Sequence, residues 1–325
     1  MTFRSVCLFF TVAIASAAVA RADMWSEPAR YRVEYRVDLP AISAQPGQHV
    51  RVWVPYPATN ADQTVQPGES ESPWPYRLTR DALGNQIVYA EGEAPAARPL
   101  VIRAVVQRSP SHGVRRDAIA ADPMQDPGHY TAPIQLIPLD GIIRQLAEQE
   151  GKGIDGTDAK AEAFYRYVVR TMRYDKSGDG WGRGDAVWAC TNQRGNCTDF
   201  HSLFMGMAMS QGIPARFSIG FPVPGSEPAG DIPGYHCWAE YYSPARGWVP
   251  LDASEAKKSG QTDAYFGALP NDRIQYTTGR DLRLEPPQAG PPLNYFIFPY
   301  VEVDGAPVSG VKPTMHYERL AGSAS

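Results

Sequence analysis

Hydrophobic and polar residues alternate with a period of two along the N-terminal part of the chain. From residue 31 to residue 39 the odd-numbered positions are hydrophobic and the even-numbered positions are charged. Such alternation is typical of a β-strand with one buried face. Residues 50–54 repeat the pattern, and shorter strand-like runs follow at 86–89 and 100–106. Because segments rich in Pro, Gly and Ser separate these runs, we predict a β-sandwich domain over residues 23–110.

The second half of the chain changes to helical spacing. Residues 111–134 are dense in Pro, Gly, His and Asp and predict a linker, followed by a second domain with a C-terminal strand extension over residues 135–325. From Thr157 onward, hydrophobic positions recur at the intervals of an amphipathic helix. Residues 197–211 are hydrophobic around almost the whole helical circumference, which predicts a helix buried on most sides. Three strand-like runs follow this helix, at residues 216–221, 235–242 and 248–251.

The first 22 residues have the pattern of a cleaved secretory signal. Arg4 gives a positive start, residues 6–20 form an uncharged and mostly apolar stretch, and small residues at 18–22 offer A-x-A cleavage sites. The apolar stretch is shorter than the ~20 residues that a membrane-spanning helix needs. The alternative interpretation of this segment is a membrane anchor that is not removed. We therefore expect residues 1–22 to be removed and the mature protein to be periplasmic or secreted, without stable membrane insertion.

Composition and charge restrict the possible partners. Hydrophobic residues make up 43% and charged residues 20% of the chain, so it can bury an ordinary core. The formal net charge is −4, and loss of Arg4 and Arg21 with the signal makes it −6, which argues against nucleic acid as a partner. Only Cys190, Cys197 and Cys237 remain after cleavage, and this odd number leaves at least one thiol outside any intramolecular disulfide.

Cys197 stands at the predicted first turn of the buried helix. A thiol attacks acyl carbon as a thiolate, and the dipole and free N–H groups of a helix N-terminus favour that charge. Gly195 permits a tight backbone entry into the helix. His236 and Asp252 lie on two later strand-like runs joined by a short turn, so adjacent strands would place their side chains next to each other. A catalytic Cys needs such a His, and the His needs a carboxylate or amide to orient it.

Three sequence blocks resemble the transglutaminase-like core of the papain-like cysteine enzyme superfamily. They are Gly195-Asn-Cys-Thr-Asp-Phe-His-Ser-Leu-Phe with Gly212-Ile-Pro-Ala-Arg216, His236-Cys-Trp-Ala-Glu240, and Gly247-Trp-Val-Pro-Leu-Asp252. The resemblance covers roughly residues 135–275 and implies an α+β fold, in which a central Cys helix packs on an antiparallel sheet. It implies that Cys197 is the nucleophile, that His236 is the general base and acid, and that Asp252 orients His236. A β domain ahead of this core is also similar to that of bacterial exported members.

The activity implied by this site is acyl chemistry on a peptide or protein substrate, with no cofactor. Release of the Cys197 acyl-enzyme by water would make the chain a cysteine peptidase or amidase, whereas release by an amine would make it a protein-crosslinking acyltransferase. We favour hydrolysis because water is abundant and the sequence identifies no acidic cleft for an amine. A binding or assembly module of the cell envelope, with an idle triad, is the remaining alternative.

Metal binding is the main competing interpretation of these residues. Zinc-ligand types occur at five positions, which are Cys190, Cys197, His201, His236 and Cys237. Their spacing is unusual for zinc, and neighbours on a strand such as His236 and Cys237 are expected to point to opposite faces. Residues 175–179 match the first half of a calcium loop, but its twelfth position is Ala186 rather than Glu. We therefore predict no metal site.

Two roles near Cys197 stay open in the sequence. His201, one helical turn after Cys197, is interpreted as a packing or hydrogen-bonding residue rather than a second base. One oxyanion donor is expected to be the backbone N–H of Cys197. The other donor is not assigned, and Gln193, Tyr174 and Trp188 are the candidates.

Overall fold

A computed structural model of the protein describes residues 24–114, 125–225 and 227–320. The predicted signal segment, residues 1–22, lies outside the described residues, as does part of the predicted linker. Within the described ranges, no helix combines the length and the apolar character that a membrane crossing requires.

The described residues form five α-helices and sixteen strands. The helices are α1 (Gly141–Glu150), α2 (Thr157–Thr171), α3 (Ala186–Asn192), α4 (Cys197–Ser210) and α5 (Ala253–Ser259). The first eight strands are β1 (Ala29–Val37), β2 (His49–Tyr56), β3 (Gln63–Pro67), β4 (Tyr76–Arg80), β5 (Gln86–Glu93), β6 (Leu100–Arg108), β7 (Arg173–Tyr174) and β8 (Arg194–Gly195). The others are β9 (Ala215–Pro222), β10 (Ala229–Asp231), β11 (His236–Ser243), β12 (Gly247–Leu251), β13 (Arg273–Thr278), β14 (Tyr300–Val303), β15 (Ala306–Pro307) and β16 (Thr314–Leu320).

The N-terminal strands lie in two five-stranded sheets. Their strand orders are β10-β16-β1-β6-β3 and β15-β14-β2-β5-β4. The alternation of β1 buries one face, with Tyr31, Val33 and Tyr35 nearly inaccessible. The buried faces of both sheets contribute to one hydrophobic core because each presents its hydrophobic positions inward.

Strands from the C-terminal end of the chain complete both of these sheets. β16 pairs antiparallel with β1, with Tyr317 opposite Val33, and β14 pairs antiparallel with β2. β16 also pairs with β10, which comes from the second half of the chain. Residues 300–320 therefore lie in the sheets of the N-terminal strands rather than in the sheet of the core. The domain division, with 111–134 as a linker, stays a prediction.

The core of the second half is helix α4 packed on an antiparallel sheet of order β12-β11-β9-β13. Residues Cys197–Met209 of α4 are all buried, because this helix has β9 and β11 on one side and the other four helices around it. This arrangement confirms the predicted α+β class, with a central helix that begins at Cys197 and rests on antiparallel strands.

Candidate active site

The N-terminus of α4 is fixed by a reciprocal capping interaction. Asn196 Oδ1 accepts a hydrogen bond from the Thr198 N–H at 2.9 Å, and Asp199 Oδ2 accepts one from the Asn196 N–H at 2.9 Å. Gly195 precedes the cap with φ of +144°, and a Cβ at this position would collide with the Asp199 side chain. Glycine at position 195 therefore allows the chain to turn closely into the helix that begins with Cys197.

Asp199 also attaches a glycine-rich loop to the same helix end. Its carboxylate accepts hydrogen bonds from the Gly182 N–H at 2.7 Å and from the Gly184 N–H at 3.0 Å. Among the described residues, none accepts a hydrogen bond from the backbone N–H of Cys197. That N–H and the helix dipole favour negative charge at this position.

The structure brings the three predicted site residues together. His236 is the first residue of β11, and Asp252 follows the last residue of the neighbouring β12. The Nε2 atom of His236 lies 2.5 Å from Oδ2 of Asp252. The charge of the imidazole also acts on the thiol of Cys197. Because Nε2 bonds to Asp252, Nδ1 is the ring nitrogen left for a second partner.

The charges at the site favour a thiolate beside an imidazolium. Burial opposes ionisation of Cys197, but hydrogen bonds from Cys237 and His236, and the charge of His236, hold the pKa of this thiol well below its ordinary value. Burial also opposes protonation of His236, but the charge and the hydrogen bond of Asp252 raise the pKa of the imidazole to about 9. The two shifts act together, because Asp252 keeps His236 protonated and the charge of His236 favours the thiolate.

Asp252 is buried, and hydrogen-bond donors and positively charged groups surround its carboxylate. It is the N-cap of α5, and its Oδ1 accepts hydrogen bonds from the Glu255 N–H at 2.9 Å and the Ser254 hydroxyl at 3.0 Å. Nη2 of Arg273 lies 3.5 Å from Oδ2. Burial would raise the pKa of this carboxyl, but His236, followed by His201 and Arg273, keeps the pKa below its ordinary value. Asp252 is therefore the negative charge that holds His236 protonated.

His201 and Cys237 also belong to this group, although the sequence did not assign them to it. His201 is inaccessible, its Nε2 accepts a hydrogen bond from the Ala253 N–H at 3.1 Å, and its Nδ1 lies 3.6 Å from Sγ of Cys237. Sγ of Cys237 also donates a hydrogen bond to Thr198 Oγ1 at 3.8 Å. The expectation that His236 and Cys237 point to opposite faces of the strand stays a prediction.

Cys197 is 2% exposed, and two tyrosines lie near the helix end that carries it. The Tyr235 hydroxyl accepts a hydrogen bond from Asn196 Nδ2 at 3.1 Å and lies 3.5 Å from the Tyr295 hydroxyl. Burial first, and then the negative charge of Cys197, raise the pKa of Tyr235.

The three candidate oxyanion donors differ in their relation to the thiol. Tyr174 lies on β7, which pairs with β8 so that Tyr174 is beside Gly195. Burial and then the charge of Cys197 raise the pKa of Tyr174. Gln193 is exposed in a left-handed conformation at the end of α3, and the Trp188 ring packs against Gly180. Tyr174 thus lies close enough to Cys197 for the charge of the thiolate to act on its hydroxyl.

Two features bear on the metal interpretations. Asp175 accepts a hydrogen bond from the Ser177 N–H at 2.8 Å and lies 3.8 Å from Arg194, so a guanidinium already faces the first position of the calcium-like segment. In the described part of the chain, His236, Asp252 and Glu255 form a cluster of possible metal ligands. Arg273 lies 3.5 Å from Asp252 and 3.8 Å from Glu255, and its guanidinium supplies the positive charge there.

A cavity of about 380 Å³ lies away from Cys197, between the four-stranded sheet and loops of the N-terminal strands. Arg216 and Glu240 line it and form a buried ion pair at 2.5 Å. None of the three predicted site residues lines this cavity.

Comparison with known proteins identifies the core. Residues 144–253 match the family described as the Transglutaminase-like superfamily. Residues 144–253 form a transglutaminase-like core. This result confirms the resemblance of the three sequence blocks, since the matched range contains all of them.

Similarity to known proteins extends over most of this chain. A protein of Haemophilus influenzae, described as uncharacterized, is 26% identical over 326 residues, which covers 87% of this chain and 88% of that protein. The crystal structure of a candidate cysteine protease from Cytophaga hutchinsonii has the same fold, with a TM-score of 0.60, 15% identity and coverage of 92% and 93% of the two chains. The periplasmic domain of TgpA from Pseudomonas aeruginosa is a more distant match, with a TM-score of 0.38, 14% identity and coverage of 75% and 92%.

Proposed function

We propose that this transglutaminase-like protein is a cysteine enzyme that cleaves an amide bond of a peptide or protein, with Cys197 as nucleophile, His236 as general acid and base, and Asp252 as the residue that orients His236. The observation that carries the proposal is the buried ion pair of His236 and Asp252, whose charge acts on Cys197 at the start of the central helix. The three residues are 2%, 4% and 0% exposed in the order Cys197, His236 and Asp252, so water screens their charges little.

In the first half of the reaction, the Cys197 thiolate attacks the carbonyl carbon and forms a carbon–sulfur bond. The backbone N–H of Cys197 has no partner among the described residues and is available to the oxyanion that forms. The His236 imidazolium then gives its proton to the leaving nitrogen as the carbon–nitrogen bond breaks. An amine leaves, and the acyl group stays on Cys197 as a thioester.

In the second half, neutral His236 takes a proton from water while the water oxygen attacks the thioester carbon. The carbon–sulfur bond breaks, a carboxylic acid leaves, and the thiolate–imidazolium pair is restored. Asp252 keeps the same hydrogen bond to Nε2 in both halves, so the imidazole always presents Nδ1 to the reacting atoms. We propose water as the usual acyl acceptor because no acidic cleft for an amine is identified.

We also propose that the enzyme acts outside the cytoplasm, in the periplasm or after secretion. The support is the signal-like pattern of residues 1–22, with a positive start, an apolar stretch and small residues at its end. N-terminal sequencing of the protein recovered from the periplasm of its host tests this location, and an intact N-terminus on cytoplasmic protein would contradict it.

An activated ester tests the chemistry without knowledge of the natural substrate. We expect p-nitrophenyl acetate to give a burst of p-nitrophenol and an acetyl group on the peptide that contains Cys197, both absent in Cys197→Ala. A primary amine added during turnover distinguishes the two acceptors, since free acid as the main product indicates hydrolysis and the amide indicates transfer. Absence of acetylation at Cys197 in correctly folded protein would overturn the proposal.

A further inference from the structure

The residues directly before the proposed nucleophile and the proposed base contact each other through their side chains. Asn196 directly precedes Cys197 on the chain. Tyr235 directly precedes His236. Nδ2 of Asn196 donates a hydrogen bond to the Tyr235 hydroxyl at 3.1 Å. This bond joins the start of α4 to the start of β11, beside the two groups that have to act together in the proposed reaction.

The direction of this bond is set by the cap of α4. Oδ1 of Asn196 accepts the Thr198 N–H at 2.9 Å, so the amide nitrogen is the atom that faces Tyr235. The amide nitrogen can only donate, and the Tyr235 hydroxyl therefore accepts. The same hydroxyl lies 3.3 Å from Oγ1 of Thr198. The tyrosine oxygen thus contacts two side chains of the helix end that carries Cys197.

Tyr295 orients the hydroxyl of Tyr235. The Tyr295 hydroxyl donates to the Gly182 carbonyl at 3.3 Å, so its oxygen can accept the proton of the Tyr235 hydroxyl, which is 3.5 Å away. The two rings pack with centroids 5.7 Å apart. The Gly182 N–H and the Asn196 N–H both donate to the Asp199 carboxylate. The hydrogen bonds therefore close a ring around the start of α4, through Asn196, Tyr235, Tyr295, Gly182 and Asp199.

His236 needs such a restraint because it lies at the end of its strand. Among the described residues, β12 pairs with β11 from Ala239 onward, so at His236 a paired strand lies on one side only, where Gly220 of β9 is opposite. Asp252 holds Nε2 of the ring at 2.5 Å. That bond does not fix the start of β11 against α4, and the hydrogen bond of Tyr235 does.

We propose that Tyr235 is a positioning residue for the proposed reaction: its hydroxyl accepts from Asn196 and holds the start of β11 against the start of α4. His236 and Cys197 are thereby kept in one relative position. The inference rests on the proposed function and deepens it, because it names the contact that aligns base and nucleophile. Accurate placement matters, since a displacement of about 1 Å in a catalytic group can slow a reaction by about 10²-fold.

The test uses Tyr235→Phe, which removes the hydroxyl and keeps the ring that packs against Tyr295 and Phe298. With p-nitrophenyl acetate, the burst amplitude counts the enzyme molecules that acylate Cys197, and the steady phase measures deacylation. We expect deacylation to slow by about 10-fold, because His236 is held less accurately toward the water that it deprotonates. The burst amplitude should stay at the wild-type value, whereas a loss of folded protein would lower it.

A second variant removes the same bond from its other side. Asn196→Ser keeps a cap acceptor for the Thr198 N–H and lacks the amide donor. We expect it to slow deacylation as Tyr235→Phe does, and the double variant to be about as slow as either single variant, because all three lack one and the same contact.

Tyr317→Phe is the matched control. The Tyr317 hydroxyl, on β16, donates to the Glu227 carbonyl at 3.0 Å, so this variant also loses one hydroxyl hydrogen bond. We expect the two Tyr→Phe variants to lower the Tm by similar amounts. Deacylation should slow in Tyr235→Phe and stay at the wild-type rate in Tyr317→Phe.

The outcomes separate this inference from the proposed function. Wild-type deacylation in Tyr235→Phe, a loss confined to the burst amplitude, or losses that multiply in the double variant would each overturn the role of Tyr235 and leave the proposed function intact. A folded wild-type protein that is not acylated at Cys197 would instead overturn the proposed function. If Tyr235→Phe does not fold, Tyr295→Phe takes its place with the same expectation, because it removes the acceptor that orients the Tyr235 hydroxyl.

Discussion

Among single residues, Asp252 determines the charge state of the site, because its carboxylate is the main group that raises the pKa of His236 to about 9. Asp252→Asn keeps the size of the side chain and removes that charge. We expect acylation of Cys197 by an activated ester to slow by about 10²- to 10⁴-fold. Asp263→Asn is the control, since this exposed carboxylate pairs with Arg166 far from the thiol. Equal rates in the two variants would contradict the role of Asp252.

The raised pKa of His236 predicts an alkaline limit to activity. Acylation by amide substrates needs the His236 imidazolium, which protonates the leaving nitrogen, so kcat/KM should fall as the pH rises through about 9. The stabilisation that the ion pair gives to the fold has the same sign: it is complete below the ordinary histidine pKa of 6.5 and is lost as the pH rises through about 9. The pH profile of kcat/KM checks this, and an alkaline limb near 6.5 would show that His236 is not paired as described.

The sequence was sufficient to propose Cys197, His236 and Asp252 as site residues because each stands in a local motif with recognisable neighbours. It was not sufficient for the contact between His201 and Cys237. This contact depends on how α4 crosses β11 and on the Ala253 N–H at the start of α5.

At the scale of elements, the start of α4 depends on the absence of a side chain at position 195. Gly195→Ala would combine a left-handed backbone with a collision against Asp199, and we expect a loss of about 1–3 kcal/mol in the free energy of unfolding. Gly212→Ala is a matched control, since Gly212 also has positive φ, at +73°, but has nothing within 4 Å of a Cβ. Urea unfolding measures both, and equal losses would show that the collision has no effect.

Long elements were predicted better than short ones. Helix α4 begins at Cys197 as predicted, and α2 begins at Thr157, because the hydrophobic repeat continues over several turns. Helices α3 and α5 have seven residues each, and this is too short for an amphipathic repeat to be recognised. Since α5 is capped by Asp252, the missed helix also fixes the position of a proposed site residue.

At the scale of the whole molecule, the two ends of the chain are joined through β16. This strand lies between β10 and β1, so it connects the second half of the chain to the N-terminal sheet. A chain that ends at residue 311 would lack β16 and leave β1 as an exposed edge. We expect it to lose cooperative thermal unfolding and to aggregate, whereas a chain that ends at Leu320 should unfold like the full protein. A monomeric, cooperatively folding product of the longer deletion would contradict this role of β16.

Local patterns identified the N-terminal strands but not their C-terminal partners. Alternation in residues 31–39 shows that a strand has a buried face, yet it carries no information about which strand lies next to it. The register of Val33 opposite Tyr317 joins residues almost a whole chain apart. Pairing over such separation depends on the assembled core, and a single sequence without its relatives does not reveal it.

The central claim is that His236 holds Cys197 as a thiolate at a pH where an ordinary thiol is protonated. The rate of iodoacetamide modification near pH 6, followed on the peptide that contains Cys197, measures this directly. We predict fast and selective modification of Cys197, with Cys190 and Cys237 almost unlabelled, and loss of the fast reaction in His236→Ala. A Cys197 that reacts no faster than free cysteine, or equally fast without His236, would contradict the account.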